Sequence, residues 1–167
     1  MASAYTFTLP EQINKDYIAQ CVVEATEKYQ LPSALLYAIM AKETRFKTGW
    51  RKENDHSISY GIMQINSFWL PLLSKYNIKP NTLVYDVCTN IRVGSFIFRT
   101  VFNENKGKVF ESIMAYNGGR ALKVSSTRYK QSFKYATDVV FYWKWYKANL
   151  HQIVNKNSKQ YNILAMR

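Results

Sequence analysis

"AIMAKETRFKTGW", residues 38–50, ends an apolar run with a single carboxylate that is flanked by cations. A lone Glu between Lys42 and Arg45 is usually a solvated surface charge that contributes little to stability. Glu43, however, follows the apolar Ile39 by four residues, and in a helix this spacing places both side chains on one stripe. The pattern therefore predicts that Glu43 faces the interior, while Lys42 and Arg45 point away from it as solvated charges.

Patterns on both sides of this stretch predict a mainly α fold, with a short irregular or β-hairpin segment around residues 48–62. The helix-capping residues predicted from the pattern are Asn14, Ser33, Ser67 and Asp86. The cluster "NIKPNT" is predicted as a turn, and "KVFESIMAYNGG" as a short helix that two glycines stop. A last helix is predicted from about Thr127, with Phe133, Ala136, Val140, Trp143 and Tyr146 in the core.

The chain has 167 residues, about the size of one domain. We expect a single unit with a core over about residues 14–150, an N-terminal arm over 1–13 and a polar C-terminal tail over 151–167. The tail is interpreted either as a frayed end or as a docking segment.

The chain is strongly basic, with 23 Lys plus Arg against 11 Asp plus Glu and a net charge of +12. Such a charge favours polyanionic partners. The cations are spread along the sequence and form no basic arm, so we predict no nucleic-acid partner.

Two cysteines and two histidines at unsuitable spacings predict neither a metal site nor a cofactor. The thiols are interpreted either as buried small side chains or as one disulfide. The sequence contains no run of eighteen apolar residues, so no membrane span is predicted. The first twenty residues lack the apolar region of a signal peptide.

Three segments, "KET" at Glu43, "SISYGIMQIN" at residues 57–66 and "AYNGG" at residues 115–119, occur in a characteristic order. Together they resemble the catalytic domain of lysozyme-like (goose-type) lytic transglycosylases. The resemblance is greatest to the small periplasmic members that accompany type III and type IV secretion and conjugation systems, and it runs from about Cys21 to Tyr142. It implies a lysozyme-like helical domain, a periplasmic location and a monomer that acts on peptidoglycan strands, with components of a secretion apparatus as further partners.

The resemblance also implies site residues. Glu43 matches the catalytic acid of the family, and it is followed by a small hydroxyl residue, Thr44. The substrate-binding residues implied are Ser57, Ser59, Met63, Gln64, Asn66, Tyr116, Asn117 and Tyr135. The cysteines match those of the secretion-linked members, which implies a disulfide between Cys21 and Cys88.

Glycoside cleavage usually needs two carboxylates, and here only Glu43 has a matched position. In the implied reaction the same Glu protonates the leaving oxygen and then deprotonates the C6 hydroxyl of N-acetylmuramic acid, while the N-acetyl group assists at C1. Some relatives carry an Asp where this chain has Ser59, and a further acid of larger relatives is replaced by Ser126. The nearest spare acids are Glu53 and Asp55, whose roles the sequence leaves open.

The sequence leaves three other functions open. They are a peptidoglycan hydrolase (muramidase) of the same fold, a non-catalytic glycan-binding protein of a secretion scaffold and, with less support, a nucleic-acid binder.

Overall fold

The computed structural model describes residues 15–54, 56–119 and 123–155. Its helices are α1 (Lys15–Tyr29), α2 (Ser33–Thr44), α3 (Leu70–Leu73), α4 (Pro80–Tyr85), α5 (Val87–Glu104), α6 (Val109–Gly118) and α7 (Thr127–Asn155). Its strands are β1 (Arg51–Asn54), β2 (Ser57–Tyr60) and β3 (Ile65–Asn66). Short 3-10 turns, Ser67–Trp69 and Ser74–Tyr76, flank α3. The predicted mainly α fold with a β-hairpin near residues 48–62 is confirmed.

Helix α2 is the central element of the core. Every residue from Ala34 to Ala41 is buried, so the helix is covered on all sides instead of along one stripe. Helices α1, α5, α6 and α7 contribute the surrounding apolar side chains. Glu43 therefore lies in the last turn of α2, where this helix emerges from the core.

Helices α1 and α5 are joined by the disulfide between Cys21 and Cys88. On α1 the side chains of Ile18, Cys21, Val22 and Ala25, which the helical spacing places on one stripe, are buried. Helix α5 begins as predicted at Asp86, whose Oδ1 accepts a 2.9 Å hydrogen bond from the backbone N of Thr89.

The strands form a three-stranded antiparallel sheet in the order β1-β2-β3. In the first pair Lys52 lies opposite Ser59, and in the second Ser59 lies opposite Asn66. The hairpin therefore continues past residue 62 into a third short strand, which the sequence pattern was too brief to indicate.

Several local predictions are wrong by a residue or more. The caps of α2 and of the first 3-10 turn are Pro32 and Asn66, one residue before the predicted Ser33 and Ser67. Pro80 starts α4 within the predicted turn cluster, because proline is tolerated at a first helical position. Asn14 lies outside the described residues.

The predicted core face of α7 is confirmed at Ala136 and Tyr146, which are buried, but it is wrong at Phe133, which is 49% exposed. Ser132, Tyr135 and Val139 are buried in addition. The Phe133 ring lies instead against Phe110, with centroids 5.2 Å apart. Helix α7 continues to Asn155, into the segment predicted as a tail, and residues 156–167 lie outside the description.

None of the helices in the described ranges is both long and apolar enough to cross a bilayer.

Replacing both cysteines, Cys21→Ala with Cys88→Ala, is expected to lower the free energy of unfolding by about 2 to 4 kcal/mol. The bond joins residues 67 positions apart, so its loss frees a long loop in the unfolded chain. Urea unfolding of the variant and of reduced wild-type protein checks this result. A variant as stable as the oxidised protein would contradict it.

Candidate active site

Glu43 is held at the C-terminal end of α2. Arg45 and Phe46 follow with positive φ angles of 52° and 63°, which turn the chain sharply out of the helix. The buried Phe46 anchors this turn. Thr44 Oγ1 donates a 3.0 Å hydrogen bond to the carbonyl of Ile62, so the end of α2 is tied directly to the segment after β2.

Tyr135 of α7 is the direct partner of Glu43. Its Oη donates a 2.6 Å hydrogen bond to Glu43 Oε1 across 92 residues of sequence. Burial raises the pKa of Glu43 to about 7, against this hydrogen bond and the positive charges of Lys42 and Lys52, which lower it. The Glu43 side chain keeps partial access to solvent. Glu43 is thus a carboxylic acid that is poised to exchange a proton near neutral pH.

Tyr116 of α6 forms another side of the site. Its Oη donates a 2.9 Å hydrogen bond to the carbonyl of Met63, and its ring lies 6.1 Å from that of Phe98. Burial and the Glu43 charge raise the pKa of Tyr116 well above its usual value, so the phenol stays neutral. The same causes, burial first, raise the pKa of Tyr135.

Gly61 and Gln64 enclose a tight turn that carries Met63. Both residues have positive φ, 69° and 51°. The backbone N and side-chain Nε2 of Gln64 both donate to the Gly61 carbonyl, at 3.0 and 2.9 Å. The predicted site residue Gln64 therefore stabilises the turn through a backbone and a side-chain N–H group. Met63, within the turn, is fully buried.

Asn90 of α5 holds this turn through hydrogen bonds to the backbone, and the sequence analysis missed this residue. The amide accepts from the backbone N of Met63 at 2.9 Å and donates to the carbonyls of Tyr60 and Leu83 at 2.9 and 2.8 Å. Only 1% of Asn90 is exposed. Asn90 could have been found as a polar residue among the apolar positions of α5. A buried amide at such a position usually binds backbone groups that lack other partners.

Gly94, one turn further along α5, lets Met63 approach the helix. A Cβ at Gly94 would lie 2.5 Å from the Met63 sulfur. Asn90 and Gly94 therefore face the turn together.

A row of polar residues crosses the sheet, formed by Lys52, Ser59 and Asn66 on the three strands. Residues directly opposite in antiparallel strands share one face, and the Lys52 charge acts on Glu43. This places the predicted residues Ser59 and Asn66 on the face toward Glu43. Asn66 Nδ2 also donates a 3.0 Å hydrogen bond to Ser57 Oγ, so the predicted Ser57 belongs to the same cluster.

The spare acids differ in position. Glu53 follows Lys52 in the strand and so points to the opposite face, where its carboxylate pairs with Arg51 at 2.9 Å. Its side chain is 63% exposed. Asp55 lies outside the described residues.

The predicted solvated role of Lys42 needs correction. Its Nζ lies 2.7 Å from Asp138 Oδ2 of α7, and the two side chains are only 29% and 30% exposed. Lys134 binds the same oxygen at 3.1 Å. The partner of Lys42 is 96 residues away in sequence, and the local pattern contains no signal for it.

Asn117 lies at the edge of the site. Its side chain is exposed, and its Oδ1 accepts a 3.2 Å hydrogen bond from the buried Ser132 of α7. Thus the structure joins Glu43 to Tyr135, and Tyr116 to the turn that carries Met63 and Gln64, with Ser57, Ser59 and Asn66 on the sheet and Asn117 on the α6 rim.

Within the part of the chain that is described, no three His, Cys, Asp or Glu residues cluster as metal ligands. A cavity of about 520 Å³, lined by residues such as Lys28, Arg92 and Phe96, shares no residue with the Glu43 site. Arg92 and Phe96 lie on the side of α5 away from Asn90 and Gly94, so the cavity and the site are on different faces of this helix.

Comparisons with known proteins identify a matching family and several relatives. A family described as the transglycosylase SLT domain matches residues 20–139. Invasion protein IagB of Salmonella typhimurium is 32% identical over 148 residues, which cover 88% of each chain. Protein IpgF of Shigella flexneri is 34% identical over 122 residues, 72% of this chain and 77% of that one. X polypeptide of Escherichia coli strain K12 is 30% identical over 124 residues, 74% and 72% of the two chains.

Gly61→Ala should destabilise the protein by about 2 kcal/mol more than Gly49→Ala. Both glycines have positive φ, 69° and 65°. A Cβ at Gly61 would lie 2.2 Å from the Leu83 carbonyl oxygen, whereas a Cβ at Gly49 would meet nothing within 4 Å. Chemical denaturation of the two variants measures the difference, and equal losses would show that the close contact is unimportant.

Glu43→Gln should become more stabilising relative to wild type as pH rises. A pKa raised from 4.5 to about 7 means that the folded state binds the proton more tightly than the unfolded state. The stability that this proton contributes is fully present below pH 4.5 and is lost as pH rises through 7. The variant has no such proton, so its relative free energy of unfolding should rise across this window by about 2 to 3 kcal/mol.

Urea unfolding at several pH values between 4 and 8 checks this expectation, with Glu27→Gln on the exposed face of α1 as the matched control. A difference between variant and wild type that stays constant with pH would show that Glu43 is not shifted.

Proposed function

This chain belongs to the transglycosylase SLT domain family, and we propose that it is a peptidoglycan lytic transglycosylase in which Glu43 alone carries the proton transfers. The enzyme cleaves the β-1,4 bond between N-acetylmuramic acid and N-acetylglucosamine and leaves a 1,6-anhydro end. The observation that carries the proposal is the buried carboxyl group of Glu43, with its pKa raised to about 7, on a residue that is itself partly exposed.

The first step needs an acid. Protonated Glu43 delivers its proton to the glycosidic oxygen as the bond from that oxygen to C1 of N-acetylmuramic acid breaks. An ordinary exposed glutamate is almost wholly ionised at neutral pH, whereas a group with a pKa near 7 is about half protonated. Burial of the carboxyl group therefore supplies the acid form.

The second step needs a base at the same place. Ionised Glu43 takes the proton of the C6 hydroxyl, whose oxygen bonds to C1 and closes the anhydro ring. The N-acetyl oxygen of the substrate supports the positive charge at C1 between the two steps. The Tyr135 hydroxyl, 2.6 Å from Glu43 Oε1, stabilises the carboxylate during this interval.

Two acids near the site in the described part of the chain, Glu53 and Asp138, are each paired with cations, which supports a mechanism with one carboxylate. Glu53 pairs with Arg51 on the opposite face of β1, and Ser59 occupies the position where some relatives have an Asp. Asp138 is bound by two lysines. An internal hydroxyl as nucleophile removes the need for a second group that activates water.

The glycan strand is proposed to lie between the sheet and the α6 rim. Lys52, Ser59 and Asn66 offer charge and hydrogen bonds on one side, and the exposed Asn117 offers an amide on the other. Short polar side chains with buried supports suit the recognition of sugar hydroxyl and N-acetyl groups.

We further propose a periplasmic setting and local opening of the wall for a secretion or conjugation apparatus. The resemblance to secretion-linked transglycosylases and the similarity to the invasion protein IagB support this role. The disulfide suits an oxidising compartment, and the net charge of +12 favours encounter with the acidic wall polymer.

Digestion of purified sacculi tests the proposal. Mass spectrometry of the released muropeptides should find anhydro ends, one water lighter than reducing ends, and Glu43→Gln should lower their release by at least about 100-fold. Gln can still accept the Tyr135 hydrogen bond, so the variant tests proton transfer with little disturbance of packing. Glu27→Gln is the control for an exposed position.

Other products would overturn the proposal in different ways. Reducing ends alone would identify a muramidase, and binding to sacculi without any release would identify a glycan-binding protein. Full activity of Glu43→Gln would remove Glu43 from the mechanism.

A further inference from the structure

Neighbouring residues of α2 contact residues one turn apart on α7. Glu43 accepts the hydrogen bond of Tyr135 at 2.6 Å, and Lys42 donates to Asp138 at 2.7 Å. Residues three apart in a helix share a face, so Tyr135 and Asp138 meet the end of α2 together. The acid and the adjacent cation are thus each held by a separate partner on α7.

The Lys42 ammonium lies near the groups around Glu43, and its positive charge lowers the pKa of Glu43. Its Nζ is 5.9 Å from the centroid of the Tyr135 ring, the ring whose hydroxyl binds Glu43. A lysine ammonium sits on a flexible four-carbon chain and has three donors. Without Asp138 the ammonium would be free to turn toward Glu43, whose pKa the Lys42 charge already lowers.

We propose that Asp138 is a positioning residue for the proton donor: by holding the Lys42 ammonium on α7, it keeps this cation from forming an ion pair with Glu43. This inference rests on the proposed role of Glu43 as the acid. An ion pair with Lys42 would keep Glu43 ionised at neutral pH and leave it without a proton to deliver.

Other charged and titratable groups face Glu43 from each packed element. Lys52 on β1 lowers the pKa of Glu43, as does the hydrogen bond from Tyr135 on α7, and Tyr116 on α6 is a neutral phenol. Among these groups Lys42 is the cation with a specific carboxylate partner, which makes its position dependent on one residue.

Asp138 is suited to hold Lys42 throughout the pH range in which Glu43 titrates. Partial burial alone would raise the pKa of Asp138, but hydrogen bonds from Lys42 and Lys134 together lower it. Asp138 is therefore ionised at the pH at which Glu43 binds and releases its proton. Because both side chains are about 30% exposed, the pair is screened less than one on the open surface.

The test is a titration of Glu43 by ¹³C NMR of the side-chain carboxyl group, with the signal assigned by its absence in Glu43→Gln. Asp138→Asn should lower the titration midpoint by about one pH unit. Asp138→Glu, which keeps a carboxylate, should return it toward the wild-type value. Lys134→Met removes the other cation on Asp138 and should change the midpoint little.

The Lys42→Met background separates two causes. If Asp138 acts by restraining Lys42, Asp138→Asn should have little further effect once Lys42 is absent. The same decrease in both backgrounds would show that the charge of Asp138 acts on Glu43 directly and would overturn the inference. No decrease in the wild-type background would overturn it too.

Activity gives an independent readout. The alkaline limb of the pH profile for sacculus digestion should move down by the same interval in Asp138→Asn, with kcat near the wild-type value at pH 5. A uniform loss at all pH values would contradict positioning and indicate structural damage, which near-UV circular dichroism would detect. The NMR titration stands even if Glu43→Gln proves fully active, so the failure of this inference and that of the proposed function are distinguishable.

Discussion

The rest of the site depends on the Glu43 carboxyl group, which is buried and hydrogen-bonded at the end of α2. Burial penalises the ionised form of Glu43, and the Tyr135 hydroxyl prevents this penalty from becoming so large that the group would never ionise. The balance leaves the pKa near 7. A shift of one element by about an ångström would admit water or remove the phenol, and either change would move the pKa away from the range useful for both proton transfers.

Several contacts outside the site hold Glu43 and the neighbouring turn in position. Thr44 ties the end of α2 to Ile62, and the buried Asn90 amide ties the following turn to α5. Glycines at 61 and 94 allow the close approach of this turn to Asn90 and to α5. The disulfide joins α5 to α1, so the helix that carries Asn90 is itself fixed covalently to the core. Precision at the site therefore depends on residues that would not touch substrate.

The sequence predicted those features that depend on local spacing. Capping signals indicated α2 and α5, and helical spacing placed Glu43 on the same side as Ile39, because that relation is fixed by helix geometry. The pairing of Cys21 with Cys88 and the grouping of the predicted site residues came from the family resemblance. In the structure Tyr135 binds Glu43 directly and Tyr116 binds the Met63 carbonyl, and the roles of the site residues in catalysis are proposed.

Contacts between distant segments could not be predicted in this way. Lys42 was expected to be solvated, since nothing near it in sequence indicates Asp138 on α7. Lys52 lies in a polar stretch without periodicity, and its direction became evident only from the strand register. Phe133 fits the helical stripe of α7, but its ring packs against Phe110 and stays half exposed, while Ser132 and Tyr135 are buried. In each case tertiary packing, and not local propensity, determined where the side chain lies.

The most direct test of the account is the carboxyl titration of Glu43 in the wild-type protein, followed by ¹³C NMR between pH 3 and 9 at physiological ionic strength. A midpoint of about 7 is expected, because the burial of the carboxyl group outweighs the Tyr135 hydrogen bond and the charges of Lys42 and Lys52. A midpoint at the ordinary value of about 4.5 would contradict it. Such a result would mean that Glu43 is ionised at neutral pH and cannot serve as the sole proton donor.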